Sequence, residues 1–262
     1  MIDFHTHIFP DMIADKTIPH LAEVCATRPF TNGKSEGLLK STEEAELVCS
    51  IVLPVVTAPK QFDSIHRFAL QFVEGKLISF GGIHPECDGY KEKLRWIKEQ
   101  GLKGIKLHPD YQGTYFNDIR YKRIIAYASE LDLIVVTHAG FDPVCPNDIH
   151  CTPKMAAEVI DEVAPTKLVL AHMGGNALYD DVERCLVGRD VYFDTAYVLD
   201  KMNQEQFLRI VRSHGCDKIL FASDSPWAGQ KEYVQLFQSL PLRQEEKEKI
   251  GYKNAKKILN MK

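Results

Sequence analysis

The chain has 262 residues, of which 45% are hydrophobic and 26% charged, and its formal net charge is −4. This balance is that of an ordinary globular protein, and it excludes the basic surface that nucleic-acid binding requires. The seven cysteines form no CxxC pair, the first residues do not resemble a signal peptide, and no apolar run is long enough to span a bilayer. We therefore expect a cytoplasmic protein with reduced thiols, no membrane segment and a small-molecule ligand.

Eight short apolar segments follow one another along the chain. Most are continuous runs of Val, Ile, Leu and Phe, which is typical of strands buried on both faces of a parallel sheet. The predicted strands are residues 1–5, 47–54, 77–84, 102–108, 133–138, 168–172, 191–195 and 218–224.

Segments with helical periodicity separate these strands. Further helices are predicted at residues 62–75, 119–132, 153–165, 231–240 and 246–260. Eight βα units predict the α/β class and a single (β/α)8 TIM-barrel domain over residues 1–262. A doubly wound open sheet is the alternative, but no GxGxxG motif follows the first strand. The long segment 9–46 is expected to contribute a loop over one barrel end, and substrate specificity is expected there and in residues 139–152.

Ionisable side chains occur at the ends of most predicted strands. Six of the ten histidines lie there: His5, His7, His84, His108, His138 and His172. Asp194 and Asp224 end the last two strands. A single histidine at a strand end is usually structural, but in a barrel all these ends meet on the face where active sites form. The remaining histidines in helices are expected to face solvent, namely His20, His66 and His214.

His5 and His7 are two residues apart, so in an extended strand their side chains point the same way. With His138 and Asp224 they make a set of nitrogen and oxygen donors. Such a set suits Zn, Mn, Fe or Ni, with zinc as the first expectation.

Six motifs together carry a resemblance to a known family: IDFHTHIFP, GIHPE, GIKLHPDYQ, VVTHAG, LVLAHMGG and FASDSPW. They resemble the amidohydrolase superfamily, and most closely its amidohydrolase-related branch, which contains relatives of aminocarboxymuconate-semialdehyde decarboxylase and uncharacterised TIM-barrel hydrolases. The resemblance covers nearly the whole chain and implies a deformed barrel with a divalent metal in its mouth. It implies His5, His7, His138 and Asp224 as metal ligands. His172 would polarise the substrate beside one metal or bind a second metal.

Lys106 raises the question of how many metals are bound. Two-metal members of the superfamily use a carboxylated lysine on this strand as a bridging ligand. Lys106 could equally form an ion pair with Asp194 or with a substrate carboxylate. We expect one metal ion, with a two-metal site as the alternative.

Four further side chains are candidates for contact with substrate. His84 and His108 each precede a proline, so they either end a strand structurally or reach into the pocket. Arg28 lies in the long first connection, and Trp227 follows the last strand. Asp194 is expected to orient a ligand histidine rather than to bind metal.

These features predict a metal-dependent hydrolase that attacks a small-molecule lactone, ester or amide with a metal-activated water. Asp224 would be the general base, and His172 would help to polarise the carbonyl. The alternative is a metal-dependent non-oxidative decarboxylase of an unsaturated or aromatic carboxylic acid, whose relatives carry insertions that this chain lacks. A phosphoesterase is less expected because Ser225 follows Asp224 where a histidine is usual. The intact ligand set together with Asp224 argues against a non-catalytic metal-binding barrel. The resemblance is also compatible with a homodimer.

Overall fold

A computed structural model describes residues 1–261. Within this range all strands pair in parallel, in the orders β1-β2-β3 and β4-β5-β6-β7-β8-β9. The strands are β1 (Ile2–Thr6), β2 (Cys49–Val52), β3 (Leu77–Ser79), β4 (Gly81–Gly82), β5 (Gly104–Leu107), β6 (Ile134–Thr137), β7 (Leu168–Leu170), β8 (Tyr192–Asp194) and β9 (Ile219–Leu220).

Backbone continuity and hydrogen bonds join the two sheets into a closed barrel. Phe80 lies between β3 and β4 and donates its N–H to a carbonyl of β2 at 2.9 Å, so β3 and β4 are one interrupted strand. At the other seam, the N–H of Phe4 donates to the carbonyl of Phe221 at 2.9 Å. The N–H of Asp224 donates to the carbonyl of His5, also at 2.9 Å. The (β/α)8 barrel expected from the sequence is confirmed.

Helices connect the strands on the outside of the barrel. They are α1 (Asp11–Val24), α2 (Ser35–Glu44), α3 (Phe62–Ala69), α4 (Tyr90–Glu99), α5 (Pro109–Gln112), α6 (Ile119–Glu130), α7 (Pro153–Val163), α8 (Tyr179–Cys185), α9 (Gln204–His214), α10 (Gln230–Ser239), α11 (Gln244–Glu248) and α12 (Asn254–Ile258). A π-helical turn at Lys249–Lys253 joins α11 to α12, so the helix predicted at 246–260 is interrupted. No helix among residues 1–261 combines the length and the apolar character that a membrane crossing needs.

The first connection is more regular than expected. Helices α1 and α2 fill most of residues 9–46, and the irregular part is limited to about residues 25–34. In α1, Ala14 and Ile18 are buried one turn apart, but polar neighbours and Pro19 interrupt the apolar pattern. A narrow buried stripe of this kind gives a weak periodic signal, which explains why the sequence suggested a loop.

Two histidines that were expected to face solvent are buried, so that expectation was wrong. His66 accepts the backbone N–H of Gly82 through Nε2 at 3.3 Å. His214 contacts the carbonyl of Val191 through Nε2 at 2.9 Å and stacks on Phe193 with ring centroids 4.0 Å apart. A neutral imidazole with its polar atoms bonded packs like an aromatic side chain, and sequence alone does not reveal such partners.

The apolar core lies in two layers. One cluster fills the barrel interior, where Phe4 and Phe80 meet edge to face at 6.0 Å. It is built mostly of residues in or next to the strands, together with Ala255, Ile258 and Leu259 near the end of the chain. The second joins strand residues such as Ile105 to helix residues such as Ile124. The interior is therefore a packed core, and the polar side chains collect at the carboxyl end of the strands.

Candidate metal centre at the carboxyl end of the barrel

Three side chains from the two ends of the chain meet at the carboxyl end of the barrel. The Nε2 atoms of His5 and His7 are 3.1 Å apart. Asp224 Oδ1 lies 3.3 Å from His7 Nε2 and 3.6 Å from His5 Nε2. Asp224 has a φ of 71°, a conformation that residues other than glycine rarely adopt. Strain of this kind persists mainly where the surrounding structure holds a functional side chain in place.

The outward-facing nitrogens of both histidines are bonded to acceptors. His5 Nδ1–H donates to Asp194 Oδ2 at 2.8 Å, as expected for Asp194, and His7 Nδ1–H donates to the carbonyl of Leu53 at 2.9 Å. Because a carboxylate and a carbonyl only accept, each Nδ1 carries the hydrogen, and a neutral ring then has a lone pair at Nε2. Burial and the nearby Lys106 keep the pKa of His5 well below its ordinary value, so this ring is neutral.

Lys106 lies on the interior side of the same cluster. Its neighbours Ile105 and Leu107 pack towards the helices, whereas Lys106 is buried and its Nζ is 3.0 Å from His5 Nε2. Burial lowers the pKa of Lys106 to about 8, although nearby carboxylates such as Asp194 oppose the shift. The alternation of the strand therefore settles which way this lysine points, which the sequence had left open.

A second pair of histidines adjoins the first. His172 Nδ1–H donates to the carbonyl of Ala196 at 2.8 Å, and the His172 backbone N–H donates to Asp194 Oδ1 at 2.9 Å. His172 Nε2 lies 3.0 Å from His138 Nδ1. The ring centroids of His5 and His172 are 5.5 Å apart, so the two pairs form one cluster. As in β1, the outward nitrogen of His172 is fixed and the inward one is left with a lone pair.

This arrangement fits a divalent metal. His5, His7 and Asp224 each offer one donor atom, and these atoms lie within 4.8 Å of one another. Lone pairs and a carboxylate oxygen that face each other repel, and a shared cation removes that repulsion. Imidazole nitrogen and carboxylate oxygen are typical ligands of Zn and Mn, and outward hydrogen bonds are typical of histidines that bind metal. His138 adjoins the group through its contact with His172.

A second group of the same residue types lies alongside. The donor atoms of His108, His138 and Asp142 are also within 4.8 Å of one another. However, His108 Nδ1 accepts the N–H of Tyr111 at 3.4 Å, and burial keeps the pKa of His108 well below its ordinary value. The single hydrogen of His108 is therefore on Nε2, 3.5 Å from Asp142 Oδ2. The rings of His108 and His138 are also nearly parallel, at 10° and 4.4 Å, so their lone pairs do not converge on one point.

The three other residues predicted to contact substrate differ in how deeply they are buried. His84 is buried, and its Nδ1 accepts a backbone N–H at 3.1 Å. Arg28 is exposed, and its guanidinium lies over the ring of Phe30 at 4.9 Å. Trp227 is half-buried beside the cluster, and its backbone N–H donates to the carbonyl of Asp224 at 2.8 Å. Trp227 is thus next to the site, whereas Arg28 extends into solvent.

Two acidic residues near the site were not identified from the sequence. The Oδ2 atoms of Asp110 and Asp142 each lie 3.9 Å from His138 Nε2. Burial raises the pKa of Asp142 to about 6. The available signal was an acid two residues after His108 and four residues after His138, in the segments HPD and HAGFD. Asp110 lies in the four-residue helix α5 and Asp142 in an irregular connection, and segments of this kind have no period that would indicate a contact.

The chain is similar to known proteins at the level of family and of fold. A family model described as amidohydrolase matches residues 2–261, and no curated protein sequence matches the chain. The structure is similar to 2,6-dihydroxybenzoate decarboxylase from Rhizobium, with 16% identity, 99% of this chain and 98% of that chain covered, and a TM-score of 0.75.

Two further solved structures are similar over almost the full length. One is a dihydroxybenzoic acid decarboxylase from Polaromonas sp. JS666 with bound manganese, with 14% identity, 99% and 96% of the two chains covered, and a TM-score of 0.72. The other is a probable 2-pyrone-4,6-dicarboxylic acid hydrolase from Acinetobacter baumannii, with 15% identity, 99% of both chains covered, and a TM-score of 0.66. At these identities the similarity establishes the barrel fold alone.

Proposed function

Because the chain belongs to the amidohydrolase family, we propose that it is a metal-dependent enzyme that removes CO2 non-oxidatively from an unsaturated or aromatic carboxylic acid. The observation that carries the proposal is the cluster of inward-facing histidine nitrogens around Asp224 with the buried amine of Lys106 beside it. With a divalent metal bound, such a site would offer positive charge to an acidic substrate. The preference for decarboxylation over hydrolysis follows the activities of the Rhizobium and Polaromonas enzymes.

The proposed centre holds one divalent metal, bound by His5, His7, His138 and Asp224, with His172 adjacent. Zinc and manganese both suit these donors, and manganese is the metal in the Polaromonas structure. A second metal would require His172 and a carboxylated lysine as additional ligands. The depressed pKa of the lysine in β5, about 8, favours the neutral amine that carboxylation needs.

A divalent metal bound there supplies a Lewis acid that polarises a substrate oxygen. Burial opposes the ionisation of Asp224, but the surrounding histidines outweigh it and lower its pKa to about 2. Asp224 therefore enters the reaction as a carboxylate and must first accept a proton, which a hydroxyl group on the substrate can supply. The bond between carbon and the carboxylate then breaks, CO2 leaves, and the electron pair on carbon takes the proton from Asp224. The ring of His172, fixed by Ala196, presents Nε2 to the same space.

Hydrolysis of a lactone, ester or amide is the second candidate. The Acinetobacter relative is a probable hydrolase, and an ionised Asp224 is equally suited to accept a proton from water and return it to a leaving group. The sequence alone placed hydrolysis first, and the decarboxylase relatives reverse that order. The homodimer suggested by the resemblance stays a prediction.

The products of one reaction in labelled water distinguish the two candidates. The protein is loaded with Mn²⁺ or Zn²⁺ and incubated with hydroxylated aromatic acids and with lactones. Decarboxylation releases CO2 and, in D2O, leaves deuterium on the carbon that carried the carboxylate. Hydrolysis in ¹⁸O-labelled water instead leaves the label in a new carboxylate. Labelled hydrolysis products without CO2 from any acid would refute the decarboxylase proposal.

A further inference from the structure

Two buried carboxylates lie behind His138, on the side of the ring that faces away from His172. His138 Nε2 is 3.9 Å from Asp110 Oδ2 and 3.9 Å from Asp142 Oδ2. The side chains of Asp110 and Asp142 are only 0% and 9% exposed. Each Oδ1 is already held by a backbone N–H, at 3.1 Å for Asp110 and 2.8 Å for Asp142. The Oδ2 atoms are therefore the ones turned towards the histidine.

Two of these facing atoms have no hydrogen-bond partner among residues 1–261, namely Asp110 Oδ2 and His138 Nε2. Buried polar atoms without partners are uncommon, and each one requires an explanation. A hydrogen on His138 Nε2 would satisfy both after a small rotation of the ring. A lone pair on Nε2 would instead face two negative charges, which is unfavourable in a buried site.

The other nitrogen of His138 faces a lone pair. His172 Nε2 lies 3.0 Å from His138 Nδ1, and in the neutral ring it has no hydrogen because His172 Nδ1–H donates to the carbonyl of Ala196. A neutral imidazole carries a single hydrogen, and His138 has acceptors on both sides of its ring. That hydrogen can serve only one side of the ring.

We propose that Asp110 and Asp142 are positioning residues that hold the hydrogen of His138 on Nε2 and thereby present its Nδ1 to the divalent metal. The inference rests on the proposed function for the role of His138 as a ligand. A carboxylate behind a ligating histidine fixes its tautomer and raises its basicity. His108 assists indirectly, because its Nε2–H points at Asp142 Oδ2 from 3.5 Å and helps to hold that carboxylate.

Nuclear magnetic resonance tests the tautomer directly. In protein labelled with ¹⁵N-histidine and loaded with diamagnetic Zn²⁺, long-range ¹H–¹⁵N correlations report which nitrogen carries the hydrogen. We expect the His138 hydrogen on Nε2 in the wild-type protein, and a weakened or shifted Nε2–H signal when Asp110→Asn and Asp142→Asn are combined. A hydrogen on Nδ1 of His138 in the loaded wild-type protein overturns the proposal. This result needs no variant, so it decides the question even if the double variant does not fold.

Metal affinity provides the second measurement. Calorimetric titration of the metal-free protein with Mn²⁺ at pH 8 should show about 10- to 100-fold weaker binding in the double variant. The matched control is Asp148→Asn, which removes an exposed carboxylate 3.7 Å from His150 and should leave the affinity unchanged. Unchanged affinity in the double variant refutes the proposal.

The stoichiometry and the enzyme assay separate the remaining outcomes. Two Mn²⁺ ions in the wild-type protein, with one lost in Asp142→Asn, would make these carboxylates ligands and overturn the positioning role. If the tautomer and affinity results hold but no acid releases CO2, only the proposed reaction fails.

Discussion

Two groups at the carboxyl end of the barrel have the same composition, two histidines and one aspartate, and equally close donor atoms. In the group of His5, His7 and Asp224, the outward nitrogen of each ring donates to an acceptor, so the inward atoms are lone pairs and a carboxylate oxygen. In the other group, His108 accepts a backbone N–H and turns its hydrogen towards Asp142. The first group is suited to a cation. In the second group the Nε2–H of His108 already points at the carboxylate, so a cation is not needed there.

The difference between the groups lies in the hydrogen-bonding partner of Nδ1 in each ring. An acceptor at Nδ1, a carbonyl or a carboxylate, keeps the hydrogen of the ring on Nδ1 and leaves Nε2 free to bind metal. The backbone N–H of Tyr111, in a short helix, instead donates to Nδ1 of His108 and so places the hydrogen of that ring on Nε2. Residue type and donor distance are the same in both groups. The position of one hydrogen therefore decides whether two histidines and an aspartate can bind a metal.

The largest expected effect comes from removing a ligand of the first group. His7→Ala removes one of the inward lone pairs, so Mn²⁺ binding should weaken by more than the roughly 10- to 100-fold that loss of a supporting partner causes. His108→Ala is the matched substitution in the second group and should leave the metal bound. The measurement is metal content after dialysis, by mass spectrometry. Equal loss of metal in both variants would mean that the comparison between the groups is wrong.

Asp224→Asn tests the chemistry of the first group rather than its metal. The amide can still offer an oxygen, but it cannot accept and return a proton, so turnover should fall by roughly 10²–10⁴-fold. Bound metal should remain near the wild-type level, and Asp148→Asn, which changes an exposed carboxylate outside both groups, is the control and should keep its turnover. Steady-state kinetics on the substrate found by the CO2 assay gives the ratio of the turnover of Asp224→Asn to that of the wild type. Turnover of Asp224→Asn within a few-fold of wild type would exclude Asp224 as the proton carrier.

The sequence was sufficient to predict that the histidines at the strand ends collect at this end of the barrel. The repeat of βα units makes all strands parallel, so their carboxyl ends lie on one face. His5 and His138 were placed correctly on that face although more than a hundred residues separate them. The hydrogen positions were not predictable, because they depend on backbone groups such as Leu53 and Ala196 from other connections. Asp110 was missed for the same reason, since a residue in the four-residue helix α5 shows its neighbours only after folding.

Lys106 gives a third test, because a buried amine adjoins the first group through His5. Its pKa is about 8 in the folded protein, below the value of 10.5 for an exposed lysine. Between these values the unfolded chain binds more protons than the folded one, so stability rises with pH across this window. The rise should approach roughly 3 kcal/mol from pH 8 to 10.5, at about 1.4 kcal/mol per pKa unit. The free energy of unfolding is measured with urea at several pH values for the metal-free wild type and Lys106→Met, and only the wild type should show the rise. Parallel pH profiles of the two proteins would contradict the depressed pKa of Lys106.

Asp194→Asn gives the smallest expected effect, because it changes only how a ligand of the first group is held. Asp194 accepts His5 Nδ1–H through Oδ2 and the backbone N–H groups of His172 and Ala196 through Oδ1. An amide can keep the backbone contacts through its oxygen, but its NH2 group then faces His5 and favours a lone pair on Nδ1. The hydrogen of His5 would move to Nε2, where it competes with the metal, so Mn²⁺ affinity should fall by about 10- to 100-fold. Because the fold keeps its backbone contacts, the midpoint of thermal unfolding of the metal-free protein should change little. If Asp194→Asn binds Mn²⁺ as tightly as the wild type, the hydrogen on His5 is not what distinguishes the first group from the second.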